Sequence, residues 1–280
     1  MIPPVFRHLV VEHIDEAVAA LTEHGDEAKV LAGGQSLIPL MKLRLASPTI
    51  VVDLARLDLT GVRVDGGHLV IGALTTYRDV ARSPLVQEHA PVLAAAASVV
   101  GDPQVRNRGT LGGGIAHADP AGDVPCALLA LGGALVACGS NGTRSLSADG
   151  FFVGYWTSAL HADEVLTEIR VPLSGSLGWD YQKFNIRSQD WATVAVAVTG
   201  NRIALASMAD RVVRATRSEE LLSAGGSLTD VAELADADTE PPADLRASSD
   251  YRRHLARVLT SDALNAAAGR PVLKEDNGRA

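Results

Sequence analysis

Lys29-Val30-Leu31-Ala32-Gly33-Gly34-Gln35-Ser36 sets a short apolar strand directly against a glycine pair, and a helical pattern begins at once after it. Leu37, Leu40, Met41 and Arg44 fall on one face of that helix. Ser36 takes the N-cap position and Pro39 lies in the first turn, where proline costs little. Residues 49–54 read as the next strand, so strand, crossover helix and strand form a small parallel unit. Residues 14–21 supply an earlier amphipathic helix. Glycines placed after a strand let backbone N–H groups approach an anion with no Cβ in the way, and the following helix adds its positive end. The same turn also serves as a plain tight connection, and alone it does not separate the two readings.

A second segment changes the balance: Arg106-Asn107-Arg108-Gly109-Thr110-Leu111-Gly112-Gly113-Gly114-Ile115-Ala116-His117-Ala118-Asp119-Pro120-Ala121-Gly122-Asp123. It joins a glycine-rich turn, Thr110 to Gly114, to hydroxyl, imidazole and carboxylate groups. Two anion cradles on two subdomains suit a pyrophosphate clamped between them, with a carboxylate left to accept sugar-like hydroxyls. That arrangement calls for a dinucleotide.

Around these turns the pattern is mixed α and β. From about Gly61, short strands such as 68–73 alternate with helices such as the alanine-rich 92–100. An apolar helix follows around residues 126–131, then a hairpin signal at Ser140-Asn141-Gly142-Thr143 and a strand over 164–171 ending at Pro172. A third unit starts near Ser174, with strands around 181–186, 193–199 and 202–206 and a helix over 249–259. The acidic, proline-containing stretch 236–244 reads as a solvated loop, and the tail from Lys274 as a frayed end.

Composition narrows the function classes. The 280 residues suit two or three packed units, and 47% hydrophobic with 21% charged residues is ordinary for a globular protein. A net charge of −8 argues against a phosphate-backbone footprint. No apolar run reaches the roughly 18 residues of a membrane span, and the N-terminus lacks a signal-peptide pattern, so a soluble cytoplasmic protein is expected. Cys126 and Cys138 are the only cysteines. They read as small apolar residues and exclude a self-contained four-thiolate iron–sulfur cluster.

The residues closely resemble the FAD subunit of the molybdenum hydroxylases, the group containing carbon monoxide dehydrogenase medium subunits and the flavin domain of xanthine dehydrogenase. The match runs through Pro3-Pro4-x-Phe6, residues 32–43, residues 107–123, Asp190-Trp191-Ala192 and Ala247-Ser248-Ser249-x-Tyr251-Arg252. The resemblance implies an α+β fold of the vanillyl-alcohol-oxidase (PCMH) type, with an FAD-binding domain over 1–173 built from subdomains of about 1–56 and 57–173. A C-terminal α+β domain with a small antiparallel sheet follows over 174–280. Ala32, Gly33, Gly34, Gln35, Ser36, Thr110, Leu111, Gly112, Gly113 and Gly114 are then expected at the FAD pyrophosphate, with Asp123 on the flavin's sugar-like chain. Val100, Leu166 or Thr167, and Lys183 complete the expected cofactor contacts. The resemblance also implies a small partner subunit with two [2Fe–2S] clusters and a large molybdopterin subunit, assembled as a dimer of heterotrimers. Gln35 stands where carbon monoxide dehydrogenases usually have His, and Gly114 where many relatives have Asn. The first departure counts against carbon monoxide as the substrate.

Other readings fit less well. A nicotinamide dehydrogenase could use Asp53 for a ribose, but Gly-x-Gly-x-x-Gly is missing. Gly34-Gln35-Ser36-Leu37-Ile38 lacks the second glycine of a nucleophile elbow. The eight histidines show no paired ligand spacing, and His117 beside Asp119 suits a structural or flavin-edge role better than a metal. Lys183 and Arg187 read equally well as surface charges on a strand. A self-sufficient flavin oxidase would need convergent catalytic groups after residue 174, where none are evident, and a nucleotide-binding scaffold without catalysis is the third class.

Overall fold

The computed structural model describes residues 2–173 and 177–269. The boundary expected near Ser174 and the tail from Lys274 lie outside them. The parallel unit forms as the pattern requires, with Ile50–Asp53 at the centre of a three-stranded sheet and Ala28–Leu31 on one side. Ile50, Val51 and Val52 are buried, as β-branched residues of a central parallel strand should be. The other edge is Arg7–Val10, a strand the sequence pattern does not announce, which takes the same register partners on Ile50–Asp53. Helix Ile14–His24 lays Ala17, Ala20 and Leu21 into the unit's core.

The second unit is a five-stranded antiparallel sheet in the order Val62–Asp65, His68–Gly72, Val165–Pro172, Ala134–Gly139, Gly142–Ser147. The hairpin signal marks a real two-residue loop, Ser140-Asn141, with Gly142 at φ 97°. The central strand slips register between Leu166 and Glu168, so Thr167 bulges and its hydroxyl donates to the Val136 carbonyl at 3.1 Å. The alanine-rich helix spans Pro91–Ser98, so Val100 falls in the loop beyond it.

Helix Asp123–Leu131 is buried along its whole length, as expected of a helix that is apolar all round. It lies between the second unit and a C-terminal four-stranded antiparallel sheet, Trp179–Phe184, Val194–Thr199, Arg202–Ala206 and Val213–Arg214. Strand Val194–Thr199 shows why. Its period of two puts small Ala195 and Ala197 into the core shared with that helix, and Val194, Val196 and Val198 into a second core under helix Ser249–Gly269. That long helix runs ten residues further than its sequence pattern suggested.

The stretch 236–244 is a loop, but not simply a solvated one. The buried Asp236 carboxylate accepts from Arg257 Nε at 2.8 Å and Nη2 at 2.9 Å, anchoring the loop to the long helix. Cys126 is buried, Cys138 half-buried, and both are free thiols. Among the described residues no helix is long and apolar enough to cross a membrane, and no three His, Cys, Asp or Glu side chains gather as a metal site would need.

Candidate functional site

The two glycine segments meet. A Cβ on Gly33 would stand 2.2 Å from the Arg108 carbonyl oxygen and 2.7 Å from the Gly109 Cα, while one on Gly113 would reach the Ala32 Cβ at 3.6 Å. Around this contact opens a cleft of about 600 Å³ bounded by the parallel unit, the five-stranded unit and residues 189–191 of the C-terminal domain. Twelve of the fourteen expected cofactor contacts line it: Ala32, Gly33, Gly34, Gln35, Ser36, Val100, Thr110, Gly112, Gly113, Gly114, Asp123 and Leu166.

The first segment has the shape of a cradle. Gly34 holds φ +73°, and among the described residues no backbone carbonyl accepts from the N–H groups of Gly34, Gln35 or Ser36. These amides are donors without a protein acceptor at the cleft wall, the pattern of an anion nest. Ser36 occupies the N-cap position of helix Leu37–Lys42, but its side chain makes no capping bond; its backbone is already helical, φ −104° and ψ −53°.

The second segment differs from its sequence reading. It is not a loop but the first turn of helix Leu111–His117, capped by Thr110, whose Oγ1 accepts from Gly113 N at 3.2 Å. The amides of Leu111, Gly112 and Gly114 donate to the carbonyls of Thr75, Ala73 and Thr110 at 2.8, 2.8 and 3.0 Å. Its glycines therefore serve close approach rather than donation. A Cβ on Gly112 would meet Ala73 at 2.5 Å, and one on Gly114 would overlap the Tyr77 hydroxyl. What this wall offers a ligand is the Thr110 hydroxyl, which keeps its own proton to donate. Leu111 faces the core instead of the cleft.

Asp123 is 3% exposed, and its carboxylate accepts from Tyr181 Oη at 2.6 Å and Lys183 Nζ at 2.9 Å. Burial pushes its carboxyl up from the ordinary range, against the pull of Lys183 and Tyr181. Lys183 is neither a surface charge nor a lining residue. Its side chain is 7% exposed, stands behind Asp123, and donates also to the Val99 carbonyl at 3.2 Å. Arg187 is exposed.

Two features of the rim, Glu164 and Trp156, escape sequence reading because partners of theirs are remote, while His117 beside Asp119 is legible in it. Glu164 is chelated by Arg144 Nε and Nη2 at 2.6 and 2.8 Å and caps the His161 N–H at 2.7 Å, which fixes the lining loop 160–162. Trp156, held at φ +46°, donates its indole N–H to Asp119 at 3.2 Å. His117 lies 4.0 Å from the same carboxylate, and burial holds its imidazole below the usual range. Trp191 lines the cleft from the C-terminal domain, at a motif the resemblance had already marked.

The cleft fits a dinucleotide on its own chemistry: unspent amides on one wall, absent Cβ atoms on the other, and apolar sides from Leu40, Leu54, Val100, Val165 and Leu166. Comparison with known proteins agrees over nearly the whole chain. Residues 4–174 match the model of the FAD binding domain in molybdopterin dehydrogenase, and residues 179–267 that of the CO dehydrogenase flavoprotein C-terminal domain. The carbon monoxide dehydrogenase medium chain of Hydrogenophaga pseudoflava is 43% identical, over 96% of this chain and 99% of its own. The glyceraldehyde dehydrogenase medium chain of Sulfolobus acidocaldarius is 37% identical, over 96% and 100%. The solved carbon monoxide dehydrogenase of Hydrogenophaga pseudoflava that lacks the Mo-pyranopterin moiety superposes with a TM-score of 0.93, covering 96% of this chain and 99% of its matching chain. With sequence, fold and cleft in agreement over nearly the full length, the chain belongs to the FAD-binding medium subunits of the molybdopterin dehydrogenases, an oxidoreductase family with the PCMH-type fold.

Proposed function

We propose that this chain is the electron-transfer subunit of a molybdenum hydroxylase, holding FAD in the cleft between a cluster-bearing partner and an external acceptor. The observation that carries the reading is the cradle itself, where the unspent amides of Gly34, Gln35 and Ser36 face a wall cleared of side chains at Gly112 and Gly113. Those amides and the Thr110 hydroxyl hold the pyrophosphate. Asp123 has lone pairs left after Tyr181 and Lys183 and accepts from the sugar-like chain. Val100 and Leu166 pack on the flavin ring and exclude water from it. When bound, FAD supplies the redox chemistry of the subunit, taking up electrons and passing them on. The FAD domain in this reading is 1–173 and the C-terminal domain 174–280.

Two cysteines cannot ligate the clusters of an electron relay, so those sit on a small [2Fe–2S] subunit, and a large molybdopterin subunit oxidises the substrate. Relatives named for carbon monoxide and for glyceraldehyde match this chain over the same length, so the medium chain does not decide the substrate. Coexpression with the two partner subunits tests the reading. A dimer of heterotrimers should elute as one species and its flavin absorbance should bleach on adding substrate. A chain that purifies without flavin, or one that bleaches with substrate when alone, refutes it.

A further inference from the structure

Helix Leu37–Lys42 follows the cradle directly and turns two different faces to its surroundings. Leu37 and Leu40 line the cleft, whereas Ile38, packed over the outer side of the Gly34 turn, and Lys42 share a different face of the helix that is exposed. Beyond the helix, Leu43 is 58% and Leu45 72% exposed, and with Ile38 they make an apolar patch on the outer side. Lys42 and Arg44 are exposed within it, and among the described residues neither forms a salt bridge, in a chain of net charge −8.

The backbone is bent to present this patch. Leu45 N donates to the Leu40 carbonyl at 2.9 Å and Arg44 N to the Met41 carbonyl at 3.1 Å, the closing bonds of a helix C-terminus whose left-handed residue is ordinarily glycine. Here it is Arg44, at φ 60°. A side chain kept at a strained position, with uncovered leucines on both sides of it, marks a surface made for contact.

We infer that Ile38, Leu43 and Leu45, rimmed by Lys42 and Arg44, form the docking face for the cluster-bearing electron-donor subunit, which meets them with apolar residues and a carboxylate rim. This rests on the electron-transfer reading above. Its physical reason is distance. A partner seated here is separated from the cleft by one helix, about 10–12 Å across with its side chains, so its cluster can lie close to the flavin. Unpaired cations on an otherwise acidic chain then select an acidic partner edge and steer its approach.

The test is coexpression of the full three-subunit complex with Leu45→Asp, with the pair Lys42→Glu and Arg44→Glu, and with Val64→Asp on the exposed edge strand as a control. The expected result is that the patch variants keep wild-type flavin content and melting temperature as isolated chains, yet bind the cluster subunit at least about tenfold more weakly. Val64→Asp should assemble normally. Wild-type assembly matched by equally tight assembly of the patch variants would overturn the docking face alone. No assembly by the wild type would overturn the functional reading, and the docking face with it. An isolated wild-type dimer that Leu45→Asp dissolves would assign the patch to a second copy of this chain and overturn the inference.

Discussion

Gly33 lies so close to the backbone of Arg108 that an added Cβ would stand 2.2 Å from its carbonyl oxygen. The glycine of the first cradle is therefore also the packing contact that joins the parallel unit to the end of helix Pro103–Arg108, just ahead of the second glycine segment. Gly33→Ala should lose stability as well as flavin, by about 1–3 kcal/mol, because neither backbone can yield. Gly113→Ala meets a softer obstacle, the Thr110 hydroxyl at 2.7 Å, and should cost about the 1 kcal/mol of a lost cap. Urea melts and the flavin-to-protein absorbance ratio check both. A Gly33→Ala protein with wild-type melting and full flavin would refute the packing role.

Asp123 and Lys183 come from different domains and are both buried, so the pair should bind them together more than it should fine-tune the cofactor. Asp123→Ala leaves the Lys183 ammonium in the interior with only the Val99 carbonyl, a loss of about 3–5 kcal/mol. The double change Asp123→Leu with Lys183→Met should cost less than the two single changes summed, because no unpaired charge remains. Denaturation of the flavin-free proteins measures it. An Asp123→Ala cost below about 1 kcal/mol would show that the pair is not needed.

Local signals carried most of what the sequence revealed. The parallel strands, the Asn141-Gly142 hairpin and both glycine segments are each written within a dozen residues. Strand Arg7–Val10 is not, because Arg-His-Leu-Val has neither alternation nor an apolar run, and it is a strand only through its pairing with Ile50–Asp53. The helix at Thr110 was hidden by its three glycines, whose low helix propensity reads as a turn; tertiary hydrogen bonds to Ala73 and Thr75 override it. Composition also cannot say why a glycine is present. At Gly34 the reason is a left-handed backbone, at Gly112 and Gly114 a neighbour already in place. Lys183 was ambiguous for the same reason, its partner lying 60 residues away.

Glu164 provides a pH test. The Arg144 guanidinium, followed by the His161 amide and the nearby charges, holds its carboxyl below the usual glutamate value of about 4.3 despite some burial. A carboxylate depressed in the folded state contributes stability that is complete above its unfolded value and lost as pH falls through the folded one. Wild type should therefore lose stability below about pH 4.3 more steeply than Glu164→Gln, which is less stable at neutral pH. Thermal melts from pH 3 to 7 on the order of half a unit apart would show it. Parallel curves for the two proteins would remove Glu164 from the acid transition.

The loop that brings Trp191 to the cleft is tied to one side chain of the long C-terminal helix as well as to the sheet beneath it. Arg252, itself buried, donates through Nη1 to the Thr193 carbonyl and through Nη2 to Asp244 at 2.8 Å. Thr193 N in turn donates to the Phe184 carbonyl at 2.8 Å, and the Ser207 hydroxyl to the Ala192 carbonyl at 2.8 Å, so the loop's C-terminal side is pinned to the sheet while residues 187–191 reach outward. Two motifs marked only by resemblance, Asp190-Trp191-Ala192 and Tyr251-Arg252, are thereby one device. Arg252→Met removes charge-assisted bonds and should cost about 1.5–3 kcal/mol. Arg252→Lys should recover only part of it, because an ammonium cannot reproduce the planar fork that spans the carbonyl and the carboxylate. The loosened loop should also expose Arg187, which is already at the surface, to faster tryptic cleavage, read by mass spectrometry under native conditions. Unchanged cleavage after Arg187 together with unchanged melting in Arg252→Met would show that the loop is held by the sheet alone.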